Sequence, residues 1–461
     1  MCGIFGIHAP ERDVARISYF GLFALQHRGQ ESAGIAVSDR GRLTVLRDMG
    51  LVSQVFSEQK LRGLRGQTAI GHTRYSTTGS TRWANAQPLV QHGRARTVAL
   101  GHNGNLTNTA ELRDELSEES VRLTSSSDTE VIAALIARDE RPLEEAVAAT
   151  MARIEGAFSA VLLADGKLVG FRDPDGIRPL VLGQLEGDFI LASETCALDL
   201  IGAEPIRELA PGELVVADDD GWRAQQAVPP KTGGALCIFE FIYFARPDSQ
   251  LRGIELHGAR VRMGERLAAE APVEADLVMP IPDSGTPAAI GFARASGITF
   301  SEGLIKNRYV GRTFIQPDQA LRDHGIRSKF NPLAEVAGKR VVVVDDSIVR
   351  GSTTRQIVAM LFEAGAQEVH IRVSSPPVVS PCFYGIDMAS KDELVAARRS
   401  VEEVREQIGA TSLAYLSLEG LQESTQRPES TFCRACLTGR YPTRVPAEER
   451  PEKLRFEPVR G

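Results

Sequence analysis

The chain has 461 residues, 43% apolar and 25% charged, with a formal net charge of −7. That length fits two to three domains with a sizeable core. The acidic balance offers no bulk field for nucleic acid, so an anionic substrate must be held by local groups. No apolar run of roughly 18 residues marks a membrane span, and the N-terminus lacks the basic and apolar regions of a signal peptide. The expectation is therefore a cytoplasmic chain with no membrane or nucleic-acid partner. Six cysteines in such a chain favour metal binding or catalysis over a disulfide framework.

In chain order, 68–72 and 97–102 read as strands that end in Gly- and Asn-rich turns. Ser127 and Glu130 have the spacing of a capping box ahead of the apolar run 131–136. Leu143, Val147, Met151 and Ile154 recur at helical spacing. Further strands are expected at 158–163, 168–171 and 189–192. Many strands and few helices predict an α+β domain of packed sheets over 2–230. The Pro- and Gly-rich stretch 228–234 marks a linker. Beyond it, Leu256, Ala259, Met263 and Leu267 share one helix face, 277–279 is a short strand, and Pro287 opens another helix. The apolar run 341–344 is of the kind buried in a parallel sheet. A turn, a helix and the strand 370–373 follow. This rhythm predicts an α/β domain over 231–440, with ligands beyond the carboxyl ends of its strands. The Pro- and charge-rich segment 441–461 is expected to be a poorly ordered tail.

Loss of Met1 would place a thiol and a free α-amine together on Cys2. The amine, with an ordinary pKa near ~8, can take a proton and return it, and the thiolate is the attacking species. Gly101-His102-Asn103-Gly104-Asn105 offers an amide side chain and a backbone N–H together, the parts of an oxyanion hole. An ordinary Asn-Gly hairpin turn is the plainer alternative. Arg74 suits a substrate carboxylate. Asp128, at a helix start, suits a ligand ammonium or simply the helix terminus. Cys2-Gly3-Ile4, the run from Leu25 to Ser32, the run from Gly71 to Thr77 and 101–105 resemble the glutaminase domain of the N-terminal-nucleophile amidotransferases, an αββα fold. That resemblance implies Cys2 as nucleophile, Asn103 and Gly104 at the oxyanion, and Arg74 and Asp128 on glutamine.

A second site is marked by 341–354, where a buried strand ends in Asp345 and Asp346 and a hydroxyl- and Gly-rich turn leads into a helix. Such a turn aims backbone N–H groups at a phosphate. Paired carboxylates suit ribose hydroxyls or a hard cation. The run resembles the phosphoribosyl diphosphate motif of type I phosphoribosyltransferases. The resemblance implies that Asp345 and Asp346 meet the ribose and Mg²⁺, that Arg350, Gly351, Ser352 and Thr353 hold the 5′-phosphate, and that Ser347 also binds phosphoribosyl diphosphate. Ser352 stands where Thr is more usual and keeps the hydroxyl. Pro282-Asp283-Ser284-Gly285-Thr286 resembles the diphosphate loop, with Ser284 as a further Mg²⁺ neighbour. The run from Lys306 to Phe314 resembles a mobile loop whose basic residues, Lys306 among them, offset the leaving charge.

Cys433 and Cys436 form a C-x-x-C pair, with Cys237 and Cys382 far off in sequence. Four thiolates suit an iron–sulfur cluster or zinc, and spacing alone does not choose. Cys196 is expected to be a buried structural thiol. The order of the two domains resembles the amidophosphoribosyltransferases, in their iron–sulfur branch. The resemblance implies a [4Fe-4S] cluster on Cys237, Cys382, Cys433 and Cys436, with Mg²⁺ as the other cofactor. It implies glutamine and phosphoribosyl diphosphate as substrates, phosphoribosylamine as product, inhibition by purine nucleotides and a homotetramer. Many cluster-bearing members carry a short pro-segment; here removal of Met1 is expected to suffice.

Overall fold

The structure, a computed structural model, describes residues 1–76, 79–231, 234–307, 326–388 and 390–445. Two antiparallel sheets make up the first half. One has seven strands in the order Glu204–Glu208, Val181–Leu185, Asp188–Ala192, Gly3–His8, Thr68–Arg74, Ser32–Asp39, Arg42–Met49. The other has six, ordered Gly221–Gln226, Glu213–Asp218, Lys167–Arg172, Gly156–Ala164, Thr97–Leu106, Leu89–His92.

The period-2 alternation of a strand divides its side chains between two cores. In Gly3–His8, Ile4 joins Ile70, Val161 and Leu168 between the sheets. Phe5 and Ile7 face the other way and pack with Val14 and Leu22 of the helix Val14–Ala24. On the far side, Leu100, Phe158 and Leu162 pack with Val131, Ile132 and Val147 of the helices Asp128–Arg138 and Leu143–Arg153. The result is the expected αββα stack. Gly21 lets the first helix lie flat on the sheet, because a Cβ there would sit 2.4 Å from the Phe5 ring.

The second half is built on a four-stranded parallel sheet, ordered Leu277–Pro280, Arg340–Asp345, Glu368–Val373, Ser412–Tyr415. Its central valines are buried on both faces, as an all-parallel sheet requires. Val342 and Val344 look to one core, and Val341 and Val343 to the other. The helices Leu256–Glu270 and Thr286–Ser296 cover one face. They approach closely through glycines: a Cβ on Gly264 would lie 1.8 Å from the Ala288 carbonyl, and one on Gly291 1.9 Å from that of Val261.

Two local expectations are corrected. The strand Thr97–Leu106 does not end in a turn at Asn103-Gly104; it continues through them, with Asn103 opposite Ser159 and Gly104 opposite Phe158. Ser127 caps the next helix through Thr129 N, but Glu130 does not close a capping box. Its carboxylate instead accepts the amides of Thr124 and Ser125, so the acid organises the preceding loop. Thr77, Thr232 and Gly233 of the quoted runs, the run from Arg308 to Phe314 and most of the expected tail lie outside the described residues. No helix among the described residues is long and apolar enough to cross a membrane.

Candidate active sites

Cys2 opens the strand Gly3–His8 and is buried. Its backbone N–H donates to Asn103 Oδ1 at 3.1 Å, and its thiol faces the Tyr75 carbonyl at 3.6 Å. The amide nitrogen of the same Asn103 side chain is buried without a partner. A buried orphan donor costs roughly 1–3 kcal/mol, and this one belongs to the side chain that holds the Cys2 backbone. Gly104 is required by packing, since a Cβ would meet the Ala157 carbonyl at 1.9 Å. Arg74, at the end of Thr68–Arg74, is buried near Glu31 (3.4 Å) and the Ser80 carbonyl (3.1 Å). The charges of Cys2 and Asp128 both act on it. Asp128 Oδ2 accepts Leu106 N at 3.0 Å, and its other oxygen lies 3.7 Å from His102 Nδ1. Its pKa is lowered: burial opposes ionisation, but His102 and the amides of Leu106 and Thr129 outweigh it. Cys2, Asn103, Gly104, Arg74 and Asp128 are thus gathered at one place. The Met1 amine is buried beside them, and burial lowers its pKa to about 5.

Residues that no local pattern revealed complete this site. Arg28 Nε donates to the Cys2 carbonyl at 3.0 Å. Its other nitrogens pair with Glu194 from the first half and, at 2.8 and 3.2 Å, with Glu240 from the second. The segment 383–387 of the second half closes over the strand carrying Asn103. Asn105 Nδ2 donates to the Phe383 carbonyl at 3.0 Å, the Tyr75 hydroxyl to Asp387 at 3.1 Å, and a Cβ on Gly385 would lie 3.1 Å from the Gly104 carbonyl. Each contact spans more than 270 positions of sequence, so spacing could not show it.

The second site sits at the carboxyl ends of the parallel strands. Asp345 ends Arg340–Asp345, and Asp346 follows it; both are buried. Burial and the Asp346 charge hold Asp345 well above the usual carboxylate range. Burial also raises Asp346, against the opposing effect of Ser284, Ser347 and Arg260. Ser347 Oγ donates to Asp346 at 2.6 Å. Ser284, in the loop after the neighbouring strand, is close enough to Asp346 to lower its pKa. Gly351, at φ +75°, turns the chain into the helix Ser352–Glu363, whose N-terminus has no side-chain cap. A side chain at Gly351 would be strained there. The first helical amides, from Ser352 and Thr353 onward, thus open toward the turn. Arg350 departs from the expected cradle: its guanidinium is turned to Glu393, with Nε at 3.0 Å. Lys306 ends the strand Leu304–Lys306 and pairs with Asp283 of the diphosphate-type loop at 2.6 Å.

The four distant cysteines also converge. Cys237 and Cys433 are register partners in a two-stranded parallel pair. Cys436 follows in the turn Ala435–Thr438, and its carbonyl accepts the amides of Val379 and Ser380, just ahead of Cys382. Burial, then the neighbouring Cys237, Cys382 and Cys433, holds Cys436 far above its ordinary value. Burial pushes Cys237 up to about 11. All four thiols are free, while no group of three His, Cys, Asp or Glu among the described residues is close enough to hold a single metal ion. Cys196 is buried, as expected, with its thiol toward Glu194 at 3.8 Å.

A glutamine amidotransferase domain model matches residues 72–200, and a phosphoribosyl transferase domain model matches 255–375. The amidophosphoribosyltransferase of Synechococcus elongatus is 54% identical over 99% of this chain and 94% of its own. That of Mycobacterium leprae is 51% identical over 97% and 83%. The solved glutamine phosphoribosylpyrophosphate amidotransferase from B. subtilis, complexed with ADP and GMP, has a TM-score of 0.91 at 45% identity and covers 97% of this chain and 99% of that one. With both domain matches in this order and the relatives matching over nearly the whole chain, the chain belongs to the amidophosphoribosyltransferase family, enzymes that use glutamine to aminate phosphoribosyl diphosphate in the first step of purine biosynthesis.

Proposed function

We propose that the glutamine half-reaction runs at Cys2 and that its ammonia passes within the protein to the Asp345–Asp346 site. The domains are taken as 2–230 and 231–440, with 441–461 as a tail. Glutamine is held by Arg74 on its carboxylate and Asp128 on its ammonium. The burial that lowers the Met1 amine to about 5 would keep an α-amine on Cys2 neutral, ready to take the thiol proton. The thiolate attacks the amide carbon. The oxyanion is met by Asn103 Nδ2 and the Gly104 region. The amine gives that proton to the leaving nitrogen, ammonia departs, and water releases glutamate from the thioester. The observation that carries the transfer is the packing of 383–387 against Gly104, Asn105 and Tyr75. It brings the second half to the wall of the first site, where water can be excluded and ammonia kept unprotonated.

At the second site Asp345 and Asp346 would engage the ribose hydroxyls. Ser347, Gly351, Ser352 and Thr353 would hold the 5′-phosphate, and Lys306 would face the diphosphate once released from Asp283. Arg350 would need to leave Glu393 to join them. The buried carboxylate pair beside Ser284 fits a hard cation; Mg²⁺ held there would offset the charge of the leaving diphosphate. Three buried thiols and the half-buried Cys382 at one corner fit a [4Fe-4S] cluster on Cys237, Cys382, Cys433 and Cys436 better than one small ion. Such a cluster would tie the linker to the C-terminal segment, and neither half-reaction requires its electrons. Purine nucleotide inhibition, in keeping with the ADP and GMP bound to the B. subtilis enzyme, a homotetrameric state and a cytoplasmic location complete the reading.

Cys2→Ala tests the division of labour. Glutamine-dependent product formation should vanish, while product formation from added ammonium persists. Loss of both together, in a folded variant, would contradict the assignment.

A further inference from the structure

Glutamine carries its α-carboxylate and α-ammonium on a single carbon, so the two groups that receive them must stand at a fixed separation. Arg74 and Asp128 come from different elements, the end of Thr68–Arg74 and the start of Asp128–Arg138, and the Asn85 side chain bridges the two. Asn85 is 1% exposed. Its Nδ2 donates to the Ser80 carbonyl at 2.9 Å and to Ser126 Oγ at 2.8 Å, and its Oδ1 accepts Ser126 N at 3.0 Å. The same Ser80 carbonyl accepts Arg74 Nη1 at 3.1 Å, and the neighbouring Gly79 carbonyl accepts Arg74 Nη2 at 3.4 Å. Ser126 directly precedes Ser127, the cap of the helix that Asp128 opens. Asn85 therefore meets the arginine through a shared acceptor and the aspartate through two residues of backbone. Gly79 closes the joint: it sits at φ +79°, where glycine is favoured, and a Cβ on it would lie 2.7 Å from Ser126 Oγ and 2.9 Å from Asn85 Nδ2.

The bridge is anchored from outside. Asn85 ends the short turn Trp83–Asn85. The Arg47 guanidinium lies over the Trp83 ring, 4.8 Å from a ring centroid, and Trp83 Nε1 donates to the Arg47 carbonyl at 3.3 Å. Arg47 in turn donates to the carbonyls of Ala86 and, at 3.2 Å, Pro88. On the aspartate side, Arg113 donates to the Ser125 carbonyl at 2.9 Å. A buried amide engaged through both its nitrogen and its oxygen fixes its partners as firmly as they fix it.

We propose that Asn85 is a positioning residue that sets the separation of Arg74 and Asp128, and that through it the enzyme selects its nitrogen donor by the α-amino acid head. The inference rests on Arg74 and Asp128 being the partners of that head. Asn85 touches no substrate; it fixes the distance at which both charges are met at once. Truncating it lets the arginine side shift against the aspartate side. The cost falls on a ligand that uses both, and not on one that uses a single side.

The test measures hydrolysis of glutamine and of glutaramate, the same amide without the α-ammonium, by the unsubstituted enzyme and by Asn85→Ala. Phosphoribosyl diphosphate is present throughout, and ammonia-dependent product formation is run in parallel. The unsubstituted enzyme should prefer glutamine by about tenfold or more in kcat/KM, the least that one missed contact to a charged group costs. Asn85→Ala should raise KM for glutamine by about tenfold or more, since an ångström's misplacement of a positioning group costs about a hundredfold. Its kcat and its ammonia-dependent turnover should be kept, glutaramate hydrolysis should be unchanged, and the preference should shrink accordingly. Unchanged KM and unchanged preference in the variant would overturn the proposal. So would a fall in kcat with KM kept, or a parallel loss of ammonia-dependent turnover, either of which marks a structural role only. If the unsubstituted enzyme takes both amides equally well, Arg74 and Asp128 do not hold the head, and that reading falls together with this one. If Asn85→Ala does not fold, Ser126→Ala, which removes a hydroxyl from the same joint, is read by the same criteria.

Discussion

Cys2 is positioned through its backbone: Asn103 takes its N–H and Arg28 its carbonyl. Elsewhere in the first half a buried carboxylate carries a consequence of its own. Asp175 is buried, and its Oδ2 has no partner. Burial, and then the charge of Asp173, raises its carboxyl to about 6. A carboxyl raised in the folded state contributes fully below its unfolded value near ~3.9, and that contribution is lost as pH rises through the folded value. Asp175→Asn should remove this loss. Its stability relative to the parent should therefore grow between about pH 4 and pH 7, by at most about 3 kcal/mol. Thermal melts across that range decide it; a pH-independent difference would contradict the pKa assignment. At this scale the sequence singled out the groups that the fold gathers, because a terminal thiol, a twin aspartate and a C-x-x-C pair are chemically conspicuous. It did not reveal Arg28, Glu194 or Glu240, whose meaning lies in a buried pairing between residues 212 positions apart.

The elements followed their local patterns wherever one face was buried against one neighbour. The helix face through Leu256, Ala259, Met263 and Leu267 is buried as its spacing indicated, and the valine run became the centre of the parallel sheet. Patterns failed where tertiary pairing overrode propensity. Asn103-Gly104 has the composition of a turn, yet it is held in a strand by pairing with Ser159 and Phe158. Glu130 has the spacing of a capping box, yet it serves Thr124 and Ser125. The glycines joining Leu256–Glu270 to Thr286–Ser296 were silent in sequence and decisive in packing. Gly264→Ala forces a Cβ against the Ala288 carbonyl and should cost about 1–3 kcal/mol. The urea midpoint should fall, with ammonia-dependent turnover more heat-labile. An unchanged midpoint would show that the helix pair can spread freely.

On the scale of the whole molecule, each half reaches into the other: Glu240 and 383–387 complete the wall around Cys2, and Arg178 of the first half donates Nε to the Tyr384 carbonyl at 2.9 Å, near Cys382. The cysteine corner is therefore part of the joint between halves. Protein purified without oxygen should show broad visible absorbance and about four iron atoms per chain, and Cys433→Ser should lower the iron content. Stoichiometric zinc with no iron would contradict the cluster.

The central claim is that nitrogen moves from the first site to the second without entering bulk water. Glutamine labelled with ¹⁵N at the amide, supplied with unlabelled ammonium at a level where ammonium alone gives negligible product, tests it directly. The predicted result is phosphoribosylamine carrying the amide label almost undiluted. Label diluted in proportion to the added ammonium would contradict it.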